Sequence, residues 1–169
     1  MRILGIDPGL HVTGYGIINS EGRDFRLIEA GVIKNPSTKT IPARLNKVYN
    51  GIVEIVKEYK PRIIVLEELY SHYKHPRTAI LMGHVRGVVC LAASMMRVPL
   101  VGYSATQVRK SITGNGKASK EQIQRMVQHF LNIKECPQSL DLTDALALAI
   151  AHAFYAEGSY ASSRDNGKR

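Results

Sequence analysis

Apolar residues along this chain form alternations and short runs whose period changes several times, and each change marks an element. Residues 2–6 read as a short buried strand. Residues 12–18, β-branched and punctuated by glycine, read as a second, and residues 25–33 as a third after the turn Ser20-Glu21-Gly22. Connections this short join antiparallel neighbours, so the three strands predict a meander. Residues 35–42, with two prolines, read as a loop. Leu45, Val48, Tyr49, Ile52, Ile55, Val56 and Tyr59 then recur at helical spacing, which predicts an amphipathic helix over 43–59 ended by Pro61. Residues 63–66 are continuously apolar and β-branched, the pattern of a strand covered on both faces, and the run ends on Glu67-Glu68.

The second half alternates in the same way. A loop of aromatic, His and Lys residues over 70–76 leads into a helix over 78–96, a short strand over 99–103 and a helical turn over 104–108. Residues 113–118, with Gly114 and Gly116, read as a flexible loop. Ser119 and Gln122 form a capping box that starts a helix through Leu131. After a loop over 136–140, residues 141–156 read as a final apolar helix. The Ser-, Gly- and charge-rich residues 158–169 read as a disordered polar tail, which leaves one domain over 1–157. The order βββαβαβαα predicts an α/β fold: a mixed five-stranded sheet, antiparallel over its first three strands and parallel afterwards, with helices on its faces. A right-handed crossover makes strands one and four neighbours.

That topology gives the acids their interest. Asp7 follows strand one and Glu67 or Glu68 ends strand four, so the two strand ends lie side by side. Asp141 and Asp144, three apart, share one face at the start of the last helix. If that helix covers the same sheet edge, four carboxylates converge. Such a cluster is costly unless a cation binds, and hard divalent ions take carboxylate and phosphate oxygens together. Each acid alone has a plainer reading: Asp7-Pro8-Gly9 is ordinary turn chemistry, Glu67-Glu68 a solvated strand end, and Asp141 or Asp144 a helix cap. The glycine-rich stretch G-I-D-P-G-L-H-V-T-G lacks the Lys of a P-loop, and no G-x-G-x-x-G opens a helix after the strand, which disfavours a nucleotide cradle.

Charge narrows the class of partner. The net charge is +9 and most of it is carried by residues 68–135, whereas residues 136–157 carry three acids and no Lys or Arg. A basic middle suits a polyanion, through phosphate neutralisation and counterion release. Tyr70, His72, Tyr73, Lys74, His75 and Arg77 directly follow the strand-four acids and could stack on an unpaired base while holding phosphates. Arg109, Lys110, Lys117 and Lys120 flank the Gly114/Gly116 loop and could clamp a phosphate backbone. Cys90 and Cys136 are too few for a disulfide scaffold or zinc cage, and Cys90, in V-V-C-L-A-A, reads as a buried small hydrophobe. The apolar start is too short for a signal peptide, and the longest uncharged apolar stretch, 87–96, is short of a membrane span, so a cytoplasmic protein is expected.

Five segments carry a resemblance: I-L-G-I-D-P-G-L-H-V-T-G-Y-G-I-I at the start, V-L-E-E-L-Y at 65–70, G-H-V-R-G-V at 83–88, the stretch over 103–127, and D-L-T-D-A-L-A-L-A-I-A-H at 141–152. In this combination and order the chain resembles the RuvC-type Holliday junction resolvases of the ribonuclease H-like superfamily, over roughly residues 2–155. The resemblance implies a ribonuclease H-like sheet and a site of Asp7, Glu67, Asp141 and Asp144 that binds Mg2+, two ions with Mn2+ as a substitute, and hydrolyses DNA phosphodiesters. It favours Glu67 over Glu68. It places Tyr70 where the family carries an aromatic near the junction bases and Lys120 near the scissile phosphate. Arg109 falls where relatives often have Lys, a departure in geometry though not in charge. The expected DNA-contacting set is Tyr70, Arg77, Arg86, Arg109, Lys110, Lys117 and Lys120. The family further implies a homodimer and a branch-migration motor complex of the RuvA/RuvB type as partner. The helix with Met82, Val85, Val89, Leu91 and Met96 is the candidate dimer face. Competing readings are a ribonuclease H-like nuclease acting on RNA or hybrids, an actin-like nucleotide enzyme, for which 169 residues are too few for two lobes, and a junction-binding module with inert acids.

Overall fold

The computed structural model describes residues 1–9, 11–35, 39–68, 76–133 and 140–165. In chain order it contains β1 (Arg2–Asp7), β2 (Val12–Glu21), β3 (Asp24–Lys34), α1 (Ile41–Tyr59), β4 (Ile63–Glu67), α2 (Pro76–Met95), β5 (Leu100–Tyr103), α3 (Ala105–Thr113), α4 (Lys120–Leu131) and α5 (Leu140–Asp165). The strands form one sheet in the order β3-β2-β1-β4-β5. The β1–β2 and β2–β3 pairs are antiparallel, and β1–β4 and β4–β5 are parallel, as the meander and the crossover rule require.

Strand alternation sorts the apolar residues into two cores. Ile3, Ile18 and Val65 pack with Val108, Ile112, Ile123, Val127, Leu146 and Ile150 of α3, α4 and α5. Leu4, Ile6, Ile17, Ile64 and Leu66 pack on the other face with Val48, Ile52 and Val56 of α1 and Val85, Val89, Ala92 and Ala93 of α2. β1 and β4 are therefore buried from both sides, which explains why they read as unbroken apolar runs.

Several expectations change. α1 begins at Ile41 because Pro42 fits the first turn of a helix, where its missing N–H has no partner to lose. The turn at 104–108 is a full helix, α3, held by a second capping box between Ser104 and Gln107, so the order is βββαβαβααα. The Gly114/Gly116 loop is a bonded turn. Gly114 caps α3 in the left-handed region, and the Asn115 side chain accepts from the Lys117 N–H at 2.9 Å. α5 continues past Ala156 to Asp165, so the tail taken as disordered is helical over most of its length. Gly158 costs only about 1 kcal/mol relative to alanine, and a nucleated helix gains a hydrogen bond with each added residue.

α2 departs most from its expected packing. Of the candidate dimer face, Val85 and Val89 point fully into the core. Leu91 of that face does point outward, in a stripe with Ile80 and Met95; the three are 54%, 61% and 65% exposed. Cys90 lies on that stripe and is exposed, not buried. Over Arg77–Met95 the helix is long and apolar enough to cross a membrane by length and composition, although Arg77 and Arg86 break its uncharged run.

Candidate active site

The site grows from the two central strand ends. Ile6 pairs with Leu66 across the parallel β1–β4 ladder, so the next residues, Asp7 and Glu67, emerge together at one edge of the sheet. The other pair of acids arrives on α5, which lies against β1 and β2 at backbone distance. A Cβ at Gly5 would sit 2.0 Å from the Ala145 carbonyl oxygen, and one at Gly14 only 2.2 Å from that of Asp141. One at Gly16 would strike the Leu146 side chain at 2.6 Å. The glycines of the opening stretch thus receive a helix. Gly9 is the one that serves the hairpin, since a Cβ there would meet the Val12 carbonyl at 2.0 Å. The Thr13 hydroxyl donates to the Gly9 carbonyl at 2.9 Å and closes that turn.

Electrostatics shows that the four acids form one group. Burial first, and then the charges of Glu67, Asp144 and Asp141, together push the Asp7 carboxyl up from an ordinary 3.8 to about 7, against Lys120. Glu67 is raised by burial and by Asp144, opposed by Arg109 and Lys120. Asp144 is raised by burial and by Asp141, opposed by Lys120 and Arg109. The acids feel one another, yet among the described residues no three of them close on a common point.

Two basic residues face this group from separate helices. Ser119 caps α4, and Lys120, its first residue, places Nζ 3.6 Å from Asp144 Oδ2. The positive end of the α4 dipole lies at the same edge. Arg109 comes from α3, and α3 is tied to α5. The Tyr155 hydroxyl donates to the Gln107 carbonyl at 3.2 Å, its ring stacks on Tyr103, and the Tyr103 hydroxyl meets His152 Nδ1 at 2.9 Å. Glu67, Arg109, Lys120 and Asp144 line a cleft of about 160 Å³ whose apolar wall is Val108, Ile123, Ala147 and Leu148.

The remaining candidates are placed differently. Lys110 and Lys117 are exposed beside the α3–α4 turn and do not line the cleft. Arg77 is exposed in the first turn of α2. Arg86, half-buried, turns inward and donates to the backbone carbonyl of Glu67. Tyr70, with His72, Tyr73, Lys74 and His75, lies outside the described residues. The second capping box and the glycine-to-helix contacts were missed from sequence. Ser104-Ala-Thr-Gln107 has the spacing that identified Ser119–Gln122 and could have revealed α3.

The donors fit a hard divalent cation. All four are carboxylates, and Asp7, Glu67 and Asp144 are raised first by burial and then by neighbouring acids, a cost that such a cation would relieve.

Comparison with known proteins agrees with this geometry. The family profile described as crossover junction endodeoxyribonuclease RuvC matches residues 3–152. A crossover junction endodeoxyribonuclease RuvC of Rhodopirellula baltica is 47% identical over 154 residues, covering 91% of this chain and 86% of that one. The structure of Thermus thermophilus RuvC superposes with a TM-score of 0.88 at 33% identity, over 94% of this chain and 97% of that one. That of T. thermophilus RuvC in complex with Holliday junction substrate gives 0.86 at 30% identity, over 94% and 96%. With a profile spanning nearly the whole domain and the acidic edge intact, the chain belongs to the RuvC family of crossover junction endodeoxyribonucleases.

Proposed function

We propose that this protein resolves four-way DNA junctions by Mg2+-dependent hydrolysis of one phosphodiester in each of two strands of like polarity, leaving ends that a ligase can seal. The observation that carries this reading is the meeting of Asp7, Glu67, Asp141 and Asp144, from three separate elements, at an edge faced by Arg109 and Lys120. Bound Mg2+, with Mn2+ as a substitute, would supply activation of the attacking water and charge stabilisation at the leaving oxygen. The four carboxylates would hold the ions. Arg109 and Lys120 hold the phosphate, and Lys120 trades its contact with Asp144 for one with substrate. Val108 and Leu148 give the cleft an apolar wall beside these charged groups. Arg77, Lys110 and Lys117 neutralise phosphates further out, and Tyr70 stacks on a base unpaired at the crossover. The setting is recombination and repair in the cytoplasm, beside a branch-migration motor of the RuvA/RuvB type.

The test is cleavage of a mobile synthetic four-way junction with the nicks mapped on all four strands. Paired nicks at symmetric positions are expected in Mg2+. Equal cutting of linear duplex or of an RNA–DNA hybrid would replace the junction reading with that of a broader ribonuclease H-like nuclease.

Two nicks of like polarity call for two sites related by a two-fold axis, which a homodimer supplies. The α2 stripe of Ile80, Cys90, Leu91 and Met95 is the surface for it. Gly83 and Gly87 on the same helix have open space where a Cβ would be, so a second helix can approach closely. A bilayer is the poorer occupant, because Arg86 at the helix centre is bonded to Glu67 and the opposite side is committed to the core. Leu91→Glu combined with Met95→Glu is expected to give a folded monomer by sedimentation that no longer nicks in pairs. A dimer that survives both changes would move the interface elsewhere.

A further inference from the structure

Arg86 holds one particular peptide group. The β1–β4 pairing ends at Ile6 and Leu66, and Pro8, which follows Asp7, has no N–H to carry the ladder on. The Glu67 carbonyl accepts from the Arg86 guanidinium of α2. The N–H of the same peptide unit, that of Glu68, donates to the Tyr103 carbonyl of β5 at 2.9 Å. The Glu67–Glu68 peptide is thus pinned on one side by the last bond of the sheet and on the other by a helix. Space for the second pin is provided by Gly102. A Cβ there would lie 3.0 Å from Glu68 Cγ and 3.2 Å from Glu68 Oε1, tighter than an ordinary contact, and 3.4 Å from Arg86 Nη2.

We propose that Arg86 is a positioning residue for Glu67, fixing the peptide plane from which that carboxylate projects and tying it to α2. The assignment rests on the nuclease reading above and departs from a DNA-contacting role for Arg86. Its contact is with the backbone carbonyl of Glu67 and not with the carboxylate, so its action is geometric. Partners that orient a catalytic ligand are typically worth about 10–100-fold in activity or metal affinity, and a misplacement of about 1 Å can cost about a hundredfold.

The experiment compares Arg86→Met, which keeps the stem and removes the donors, with Arg86→Lys, which keeps the charge and one reachable donor. Turnover on a synthetic junction, junction affinity across a salt series, and exchange of the Glu68 amide proton are measured for each. Arg86→Met is expected to lower turnover about 10–100-fold, leave affinity and its salt slope unchanged, and accelerate Glu68 amide exchange. Arg86→Lys is expected to recover part of each loss. Because amide exchange requires no cleavage, it reads the pin even if the junction is not the substrate, and wild-type cleavage tests that reading separately. Unchanged turnover and exchange in Arg86→Met overturn the proposal. So does a loss confined to affinity with the salt slope falling by about one, the signature of a phosphate contact. If Arg86→Met does not fold, Arg86→Lys decides, since it keeps the charge while giving up the guanidinium. Faster Glu68 exchange with retained affinity supports the pin, and unaltered exchange overturns it.

Discussion

Asp7→Asn is expected to abolish junction cleavage while the variant still binds junctions. The change is nearly isosteric and removes one negative charge from the centre of the acidic group. Asp7 is the acid on which Glu67, Asp144 and Asp141 all act, so no neighbour can take over its position between the strand pair and the helix pair. An amide oxygen is a much weaker ligand for a hard divalent ion than a carboxylate. A loss of at least roughly a thousandfold, about 4 kcal/mol of barrier, is expected. Binding survives because Arg109 and Lys120 stand on α3 and α4, whose caps do not involve Asp7. The measurement is nick formation in Mg2+ beside a gel shift without divalent cations. Wild-type cleavage by the variant would remove Asp7 from the chemistry.

The same substitution is expected to stabilise the chelated protein at neutral pH. Asp7 titrates near 3.8 when unfolded and at about 7 when folded, and Glu67 and Asp144 shift in the same direction. Between those values the native state holds a proton that the unfolded chain has released. Unfolding free energy therefore falls as pH rises through that window. The stability associated with Asp7 is present in full below about pH 4 and is lost by about pH 7. An amide at that position does not titrate. Asp7→Asn should flatten most of the slope and gain roughly 2–4 kcal/mol at pH 7.5, reduced to the extent that solvent reaches the group. Thermal melts across pH in chelator test this, and a wild-type curve that rises from pH 4.5 to 7.5 refutes it. Added Mg2+ should restore neutral-pH stability to the wild type more than to the variant, because only the full carboxylate set binds it tightly.

The elements that sequence revealed are those whose pattern has a single explanation. β1 and β4 are apolar on both faces, α1 repeats at helical spacing over five turns, and the crossover rule then sets their neighbours. The acids followed because strand ends and a helix start are positions that topology alone brings together. α3 was reduced to a turn because its nine residues hold only two buried apolar positions, Val108 and Ile112, too few for a period to show; its signal lay in the cap. The orientation of α2 was illegible for the opposite reason. It is apolar nearly all round, so hydropathy cannot tell the core side from the side left for a partner, and Cys90 was assigned to the wrong one. Arg86 reads as a phosphate ligand in the sequence, which shows its charge and not the Glu67 carbonyl to which it donates.

The close seat of α5 has a consequence for tolerance to change. Where helices rest on layers of side chains, their height varies with every methyl group exchanged beneath them, and catalytic groups drift with it. Here the stand-off is set at Gly5 and Gly14 by backbone against backbone, which hardly compresses. Substitutions that shrink the core beneath α5 cannot draw the helix-borne carboxylates nearer to the strand-borne ones than these backbone contacts allow. The shortest spacing of the site is set by main-chain atoms, and any side chain at Gly5 or Gly14 would widen it.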